Sequence, residues 1–219
     1  MPQLIAMVIV VVGAMIYMFQ TFGGTGDKIE GIAQKTSVIT EVNNIKNGLK
    51  LAARAEHISS AASPAGDAKK DLKGLAQLAY FPEQINNQLT VTGRTNGDNE
   101  YAAISFGGTE KTKGGMVLSL VAPAAVSSVK MIPGIYVDLT VGSLKDNAAF
   151  LESQISTDLE DVAYIDRKAD SATAATTARG SASDLEKRTP ANSTAGTDSD
   201  GKFIIYFKDF GANEVVINN

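Results

Sequence analysis

The sequence contains no cysteine, no tryptophan and a single histidine, His57. Disulfides and thiolate metal sites are therefore excluded, and zinc binding or histidine-dependent catalysis has almost nothing to work with. The absence of cysteine leaves the redox compartment open. An excess of one charge is also lacking. Twenty basic and 24 acidic residues give a net charge of −4, with none of the concentrated basic patches that mark a nucleic-acid surface. No internal repeat is present. No convergent cluster of ionisable residues marks a catalytic centre, so neither an enzyme nor a bound cofactor or metal is expected. The 219 residues suffice for one sizeable core or two small ones.

What the chain does have is a long uncharged run at its start, "IAMVIVVVGAMIYMF" over residues 5–19. From Leu4 to Phe19 every side chain is apolar or aromatic apart from Gly13. Extended through Phe22, a helix of this length spans about 28 Å, close to the ~30 Å hydrocarbon core of a bilayer. The β-branched stretch Val8 to Val12 does not veto a helix, because propensity is a weak prior in such an environment. A cleaved signal would carry basic residues ahead of the run and a small-residue cleavage site behind it. Here the first basic residue is Lys28. A core helix that is apolar on every face is unusual in a domain of this size. A membrane-inserted helix fits better than either.

"GGTG" follows at residues 23–26. Each Gly costs a helix roughly 1 kcal/mol relative to Ala. Gly23, Gly24 and Gly26 therefore mark either a hinge or a plain linker. Helical periodicity resumes over residues 27–58, with Asp27 and Glu30 spaced as a capping box. Ile29 and Ile32 precede an apolar seam of Val38, Val42, Ile45, Leu49 and Ala52, spaced 4, 3, 4, 3. Lys35, Glu41, Asn43, Lys46 and Lys50 form the polar face. Val38, Val42, Ile45 and Leu49 are expected to pack on the protein's own sheet rather than in a free coiled coil, which would need more heptads.

Residues 59–219 read as an α+β head. "SSAASPAG" (59–66) breaks the helix, and residues 67–81 form a short helix ending before Pro82. Strand signals fall at 87–93, 101–108, 115–122, 125–131 and 134–142. The turns between them are short, which implies antiparallel pairing. Residues 146–159 are helical, with Phe150, Leu151, Ile155 and Leu159 along a face. Strands follow at 162–167 and 202–210, with a last one at 213–219. Between them, residues 168–201 are dominated by Ala, Ser, Thr, Gly and Asp, and Leu185 is their one large aliphatic side chain. Such a segment cannot bury much apolar surface and is expected to be a surface loop, the least ordered part of the head.

Chemical motifs are sparse. "DSDG" (198–201) begins like a calcium loop, but an EF-hand aligned on Asp198 would put Phe203 at the obligatory Gly position. "NST" (192–194) fits a glycosylation acceptor, and the Ser/Thr density nearby would permit O-linked sugars. Gly107, Gly108, Gly114 and Gly115 match no phosphate-binding pattern.

The order of parts in residues 1–58, an apolar run, a Gly-rich break and an amphipathic continuation, followed by an antiparallel head, resembles a type IV pilin. A numbered chain beginning at Met1 is similar to the type IVb branch. The resemblance implies a methylated N-terminus at Met1, residence in the inner membrane before assembly, and transfer by pilus assembly machinery into an extracellular filament of identical subunits. It also implies that Leu4, Ala6, Met7, Val8, Val11, Gly13, Ala14, Ile16 and Tyr17 line a filament core. Small residues among them permit close helix approach. The chain departs from the family in three ways. Ile5 stands where an acidic residue normally pairs with a neighbour's amine, which leaves Gln3 as a substitute. The helix-breaking Pro near position 22 is replaced by the three glycines, and the C-terminal disulfide is absent. The alternative is a single-pass membrane anchor carrying a monomeric periplasmic or extracellular binding domain.

Overall fold

The computed structural model describes residues 30–60, 69–123 and 130–217. The expected apolar helix and Gly-rich break (1–26), together with Asp27, lie outside the described residues.

The first described element, α1, is a helix over residues 30–54. Two short helices follow. In α2 (Leu72–Gln77), the Asp71 carboxylate caps the first turn by accepting the Gly74 N–H. The next, α3, spans Glu83–Thr90, with Pro82 at its N-cap and Glu83 in the first turn. Five strands then build one sheet: β1 (Tyr101–Ala102), β2 (Val117–Val121), β3 (Gly134–Asp138), β4 (Ala163–Asp166) and β5 (Lys202–Phe207). Their order is β1-β2-β3-β5-β4 and every neighbouring pair is antiparallel. A 3-10 turn (Gly142–Asn147) and helix α4 (Ala148–Leu159) connect β3 to β4. The last helix, α5 (Asp184–Arg188), lies within residues 168–201 and carries a capping box between Ser183 and Glu186.

The register sorts the sheet's two faces, because successive side chains alternate. Tyr101, Leu118, Val137 and Phe203 form one row across the strands, and Leu120, Ile135, Ile205 and Ile165 form the next. Both rows face α1: the Tyr101 hydroxyl donates to Glu41 at 2.9 Å, and Lys46 lies over the Phe207 ring at 4.7 Å. Val38, Val42, Ile45 and Leu49 are buried in the same cluster as these rows. Gly48 allows α1 to approach closely, since a Cβ there would stand 2.8 Å from the Tyr80 carbonyl oxygen and would collide with the Phe81 ring.

The opposite face carries Ser119, Tyr136, Ile204 and Asp166 in one row, with Tyr206 and Tyr164 beyond. Residues 168–201 cover it. The Tyr136 hydroxyl donates to the Asp170 carbonyl at 3.0 Å, the Asp166 carboxylate accepts the Ser193 and Lys168 N–H groups, and the Arg179 guanidinium stacks over Tyr164 at 4.5 Å. With cover on both faces, every residue of β2 is buried.

Several elements differ from the sequence reading. Residues 87–93 were expected as strand, but their first part completes α3. Ile85 and Leu89 are buried one helical turn apart, which outweighs the β-propensity of Thr90 and Val91. Within 101–108 only Tyr101–Ala102 pairs, and a 3-10 turn over Ile104–Phe106 follows. Gln88 explains this short edge. Its amide donates to the Ala102 carbonyl at 2.8 Å and accepts the Ala102 N–H at 3.1 Å, standing where another strand would pair. Most of the expected strand at 125–131 lies outside the described residues, and Lys130 and Met131 are not in a strand. Of the expected strand at 213–219, the described residues 213–217 hold one parallel bridge, Ser59↔Ile217, in place of a strand. Glu41 and Phe150 also change places with expectation: Glu41 is buried, accepting from Tyr101 and the Ser105 N–H, while Phe150 faces outward.

Candidate functional site

The residues expected to carry assembly divide into two groups. Met1, Leu4, Ala6, Met7, Val8, Val11, Gly13, Ala14, Ile16 and Tyr17, with the hinge glycines Gly23, Gly24 and Gly26, lie outside the described residues. Val38, Val42, Ile45 and Leu49 are all at most 1% exposed. The apolar seam of α1 is thus taken up by the protein's own core and presents nothing to a partner.

The outer side of α1 is also engaged. Lys35 pairs with Asp158 of α4. Lys46 and Lys50 both reach Asp209 at 3.2 Å, and Arg54 pairs with the buried Glu214. Glu214 further accepts the Gly211 N–H at 2.8 Å. Burial opposes its ionisation, but that hydrogen bond and the Arg54 and Lys50 cations outweigh burial and hold its carboxyl below the ordinary value. This ladder fastens the C-terminal segment to the helix in a chain without disulfides.

α1 leaves two places open, Leu51 near its end, which is 54% exposed, and its first described turn. Ile32 is 62% exposed and Phe150 of α4 is 55% exposed. Both line an apolar groove of about 300 Å³ with Gly31, Lys35 and Gln154. Gly31 is necessary to its shape, because a Cβ there would come within 3.3 Å of the Phe150 ring. The sequence held a signal for this pair that periodicity alone passes over. Ile32 lies six residues before Val38, off the 4-3 seam, and Phe150 lies one residue before the buried row Leu151, Ile155 and Leu159. Large apolar residues out of register on amphipathic helices are candidates for an outward contact.

The other concavities offer less. One of about 420 Å³ runs between α4 and the outer edge of β4, past Ser156, Tyr164, Arg167 and Lys208. Its cations are already committed, Arg167 to Glu152 at 2.7 Å and Lys208 to the Glu160 carbonyl at 2.6 Å. A second, of about 430 Å³, is lined by Ser, Thr and Ala of residues 170–177 and 192–195, including Asn192 of the acceptor pattern. His57 meets the Tyr80 hydroxyl at 2.5 Å. Among the described residues no group of three His, Cys, Asp or Glu side chains is placed to hold a metal ion. Among them, too, no helix is long and apolar enough to cross a membrane.

No known family model matches this chain, and no curated protein or solved structure matches it either.

Proposed function

We propose that this protein is the structural subunit of an extracellular, type IV pilus-like filament, which polymerises through its N-terminal apolar segment. The observation that carries the reading is a division of labour within residues 1–58. The seam of α1 is buried in the head, so it is not free for assembly, whereas the 16 residues from Leu4 to Phe19 form a long uncharged apolar run suited to contacts outside the head. An uncharged segment of that length is stable in a bilayer, and equally stable among copies of itself. Head-to-tail contacts that do not close into a ring generate an open helical filament. In this reading Leu4, Ala6, Met7, Val8, Val11, Gly13, Ala14, Ile16 and Tyr17 form the filament core, Gly23, Gly24 and Gly26 the hinge, and Met1 the modified terminus. The partners are identical subunits, with the inner membrane and the assembly machinery before them. The protein has no catalytic role.

One observation favours a second reading. Ile5 offers no carboxylate to a neighbour's amine, which a monomeric single-pass anchor does not need. Electron cryo-microscopy of filaments sheared from cells producing the full chain separates the two. A helical bundle of residues 4–17 at the filament axis is expected. A chain that stays monodisperse in detergent, and yields no filaments at any expression level, sinks the filament reading.

A further inference from the structure

The two edges of the sheet are finished differently. At β1, the Gln88 side-chain amide donates to and accepts from the Ala102 backbone and so closes that edge. At the other edge, β4 has no neighbouring strand beyond it among the described residues. Its ladder to β5 shows which backbone groups are spare. The Lys208 N–H donates to the Val162 carbonyl, and Tyr164 stands opposite Tyr206. Hydrogen-bonded and unbonded pairs alternate along an antiparallel ladder. Tyr164 and Asp166 therefore bond to β5, and the N–H and C=O groups of Ala163 and Ile165 point outward. None of those outward groups has a partner among the described residues. A concavity of about 420 Å³ runs beside them, and Val162, just before the strand, is 51% exposed. An open edge of this kind is a template for another strand.

Charge says which strand fits. The stretch from Glu160 to Lys168 is acidic at its start, Glu160 and Asp161, and basic at its end, Arg167 and Lys168. Glu160, Asp161 and Lys168 are exposed and form no ion pair among the described residues. We propose that β4 pairs antiparallel with β4 of a second copy of this chain, about a two-fold axis at Tyr164. An antiparallel partner reverses the order, so the acidic start of each strand meets the basic end of the other. Counted outward from Tyr164, Glu160 meets Lys168 of the second copy. Asp161 meets its Arg167, whose guanidinium keeps N–H groups beyond those given to Glu152 and Ser199. The same register sets Ala163 of each copy opposite Ile165 of the other, a small side chain against a large one, and each such pair exchanges both hydrogen bonds. A slip of two residues would set Glu160 against Asp166 or Asp170 of the second copy, like charges in place of opposite ones. The contact is isologous and closes at two copies. It is therefore separate from the open head-to-tail contacts of a filament and does not rest on that reading.

With no cysteine in the chain, a single introduced thiol reports this two-fold axis. Directly opposed residues of an unbonded antiparallel pair have Cβ atoms about 4.5–5.5 Å apart, a small adjustment from disulfide geometry. The full chain carrying Tyr164→Cys, dispersed in detergent and oxidised in air, should give a disulfide-linked dimer. It should do so at concentrations where Lys111→Cys, exposed on the turn between β1 and β2, stays monomeric. Adding Lys168→Glu should lower the dimer yield several-fold. Adding Glu160→Lys to that variant should restore it, a recovery that damage to the fold would not give. Should Tyr164→Cys fail to fold, the exposed positions Glu160→Cys and Lys168→Cys on two differently tagged copies take its place, and a dimer bearing both tags is expected. Three results overturn the proposal: thiols at these positions that join no faster than Lys111→Cys, a yield that Lys168→Glu leaves unchanged, or capture of a different protein in place of the second copy.

Discussion

The two faces of the sheet are covered by opposite means. On one, α1 lays a regular apolar seam against aromatic and aliphatic rows, and four side chains, Val38, Val42, Ile45 and Leu49, are almost wholly removed from water. Each contributes about 1.5–3 kcal/mol of burial. On the other, residues 168–201 bring small side chains such as Ala169, Ala174 and Thr189 into the interior. They are held instead by polar anchors: Asp166 grips the Ser193 and Lys168 N–H groups, and Glu152 grips Ser199, Gly201 and Arg167. A hydrogen bond to a charged group contributes about 1.5–3 kcal/mol, so a few carboxylates do for this face what a hydrophobic seam does for the other. A chain without disulfides can fasten a low-complexity segment in this way.

The comparison breaks most visibly on the α1 side. Val42→Asp or Leu49→Asp would put an unpaired carboxylate into a dry seam, at a cost of about 3–5 kcal/mol. That is a large share of the roughly 5–15 kcal/mol that holds an ordinary domain folded. The head produced without residues 1–26 should lose its cooperative thermal transition or melt far lower. An unchanged melting temperature would show that the seam faces elsewhere in solution.

Next comes Glu152, which is fully buried in α4. Glu152→Ala leaves two backbone N–H groups and the half-buried Arg167 without their acceptor, an expected loss of about 2–3 kcal/mol. The effect should be local as well as global. Trypsin should cut at Arg179 and Lys187 much faster in the variant than in the parent, with the α1 side still protected. Equal cutting rates would mean that the covering segment is held by something other than this carboxylate.

The two coverings also differ in how well the sequence announces them. The 4-3 spacing from Val38 to Ala52 is a property of the helix itself, so α1 and its inward face are legible without coordinates. The strands β2, β3 and β5 are legible too, because each is a nearly continuous run of buried side chains, and β4 is legible from its β-prone Ala-Tyr-Ile run although Tyr164 and Ile165 are only half-buried. Residues 168–201 have neither period nor bulk. Their structure depends on partners from α4 and β4 that no local pattern reveals, and composition alone suggested a loose loop. The short helix α3 failed for a related reason: the Pro82-Glu83 start signal and the Ile85/Leu89 spacing were present but competed with a β-prone tail. Of the candidate site, only the seam was readable and described. The Ile32 and Phe150 groove becomes visible when α1 and α4 are set side by side.

A smaller effect is expected at Gly48, where α1 crosses the Tyr80–Phe81 segment. Gly48→Ala should gain roughly 1 kcal/mol of helix propensity. The added methyl, however, meets the Tyr80 carbonyl at 2.8 Å, and backbone cannot step aside cheaply. Overpacking of this kind costs about 1–3 kcal/mol, so a net loss near 1 kcal/mol should appear as a lower denaturation midpoint. A stabilised variant would show that the helix can shift outward, and that the seam is looser than its burial implies.

The smallest effect concerns the rim of the α1 face, where the comparison turns on charge rather than apolar burial. Burial works against ionisation at both Asp209 and Glu214, but Lys46 and Lys50 at the first, and Gly211, Arg54 and Lys50 at the second, hold both carboxyls below their ordinary values of 3.8 and 4.5. A carboxyl with a lowered folded-state pKa stabilises the fold above its unfolded value, and that stabilisation disappears as the pH falls through the folded one. The melting temperature should therefore decline on acidification from about pH 5 to about pH 3, and this ladder should contribute to the decline. Asp209 is half exposed, so solvent screens its share, and the ladder as a whole should contribute on the order of 1 kcal/mol. Glu214→Gln should lower stability near neutral pH and flatten the acid response, because the group that titrates is gone. Leu49→Ala should lower stability by more, yet leave the pH response unchanged. If Glu214→Gln keeps the full acid response, the C-terminal segment is fastened to α1 by packing of Val215, Val216 and Phe210, and the ion pairs beside it are incidental.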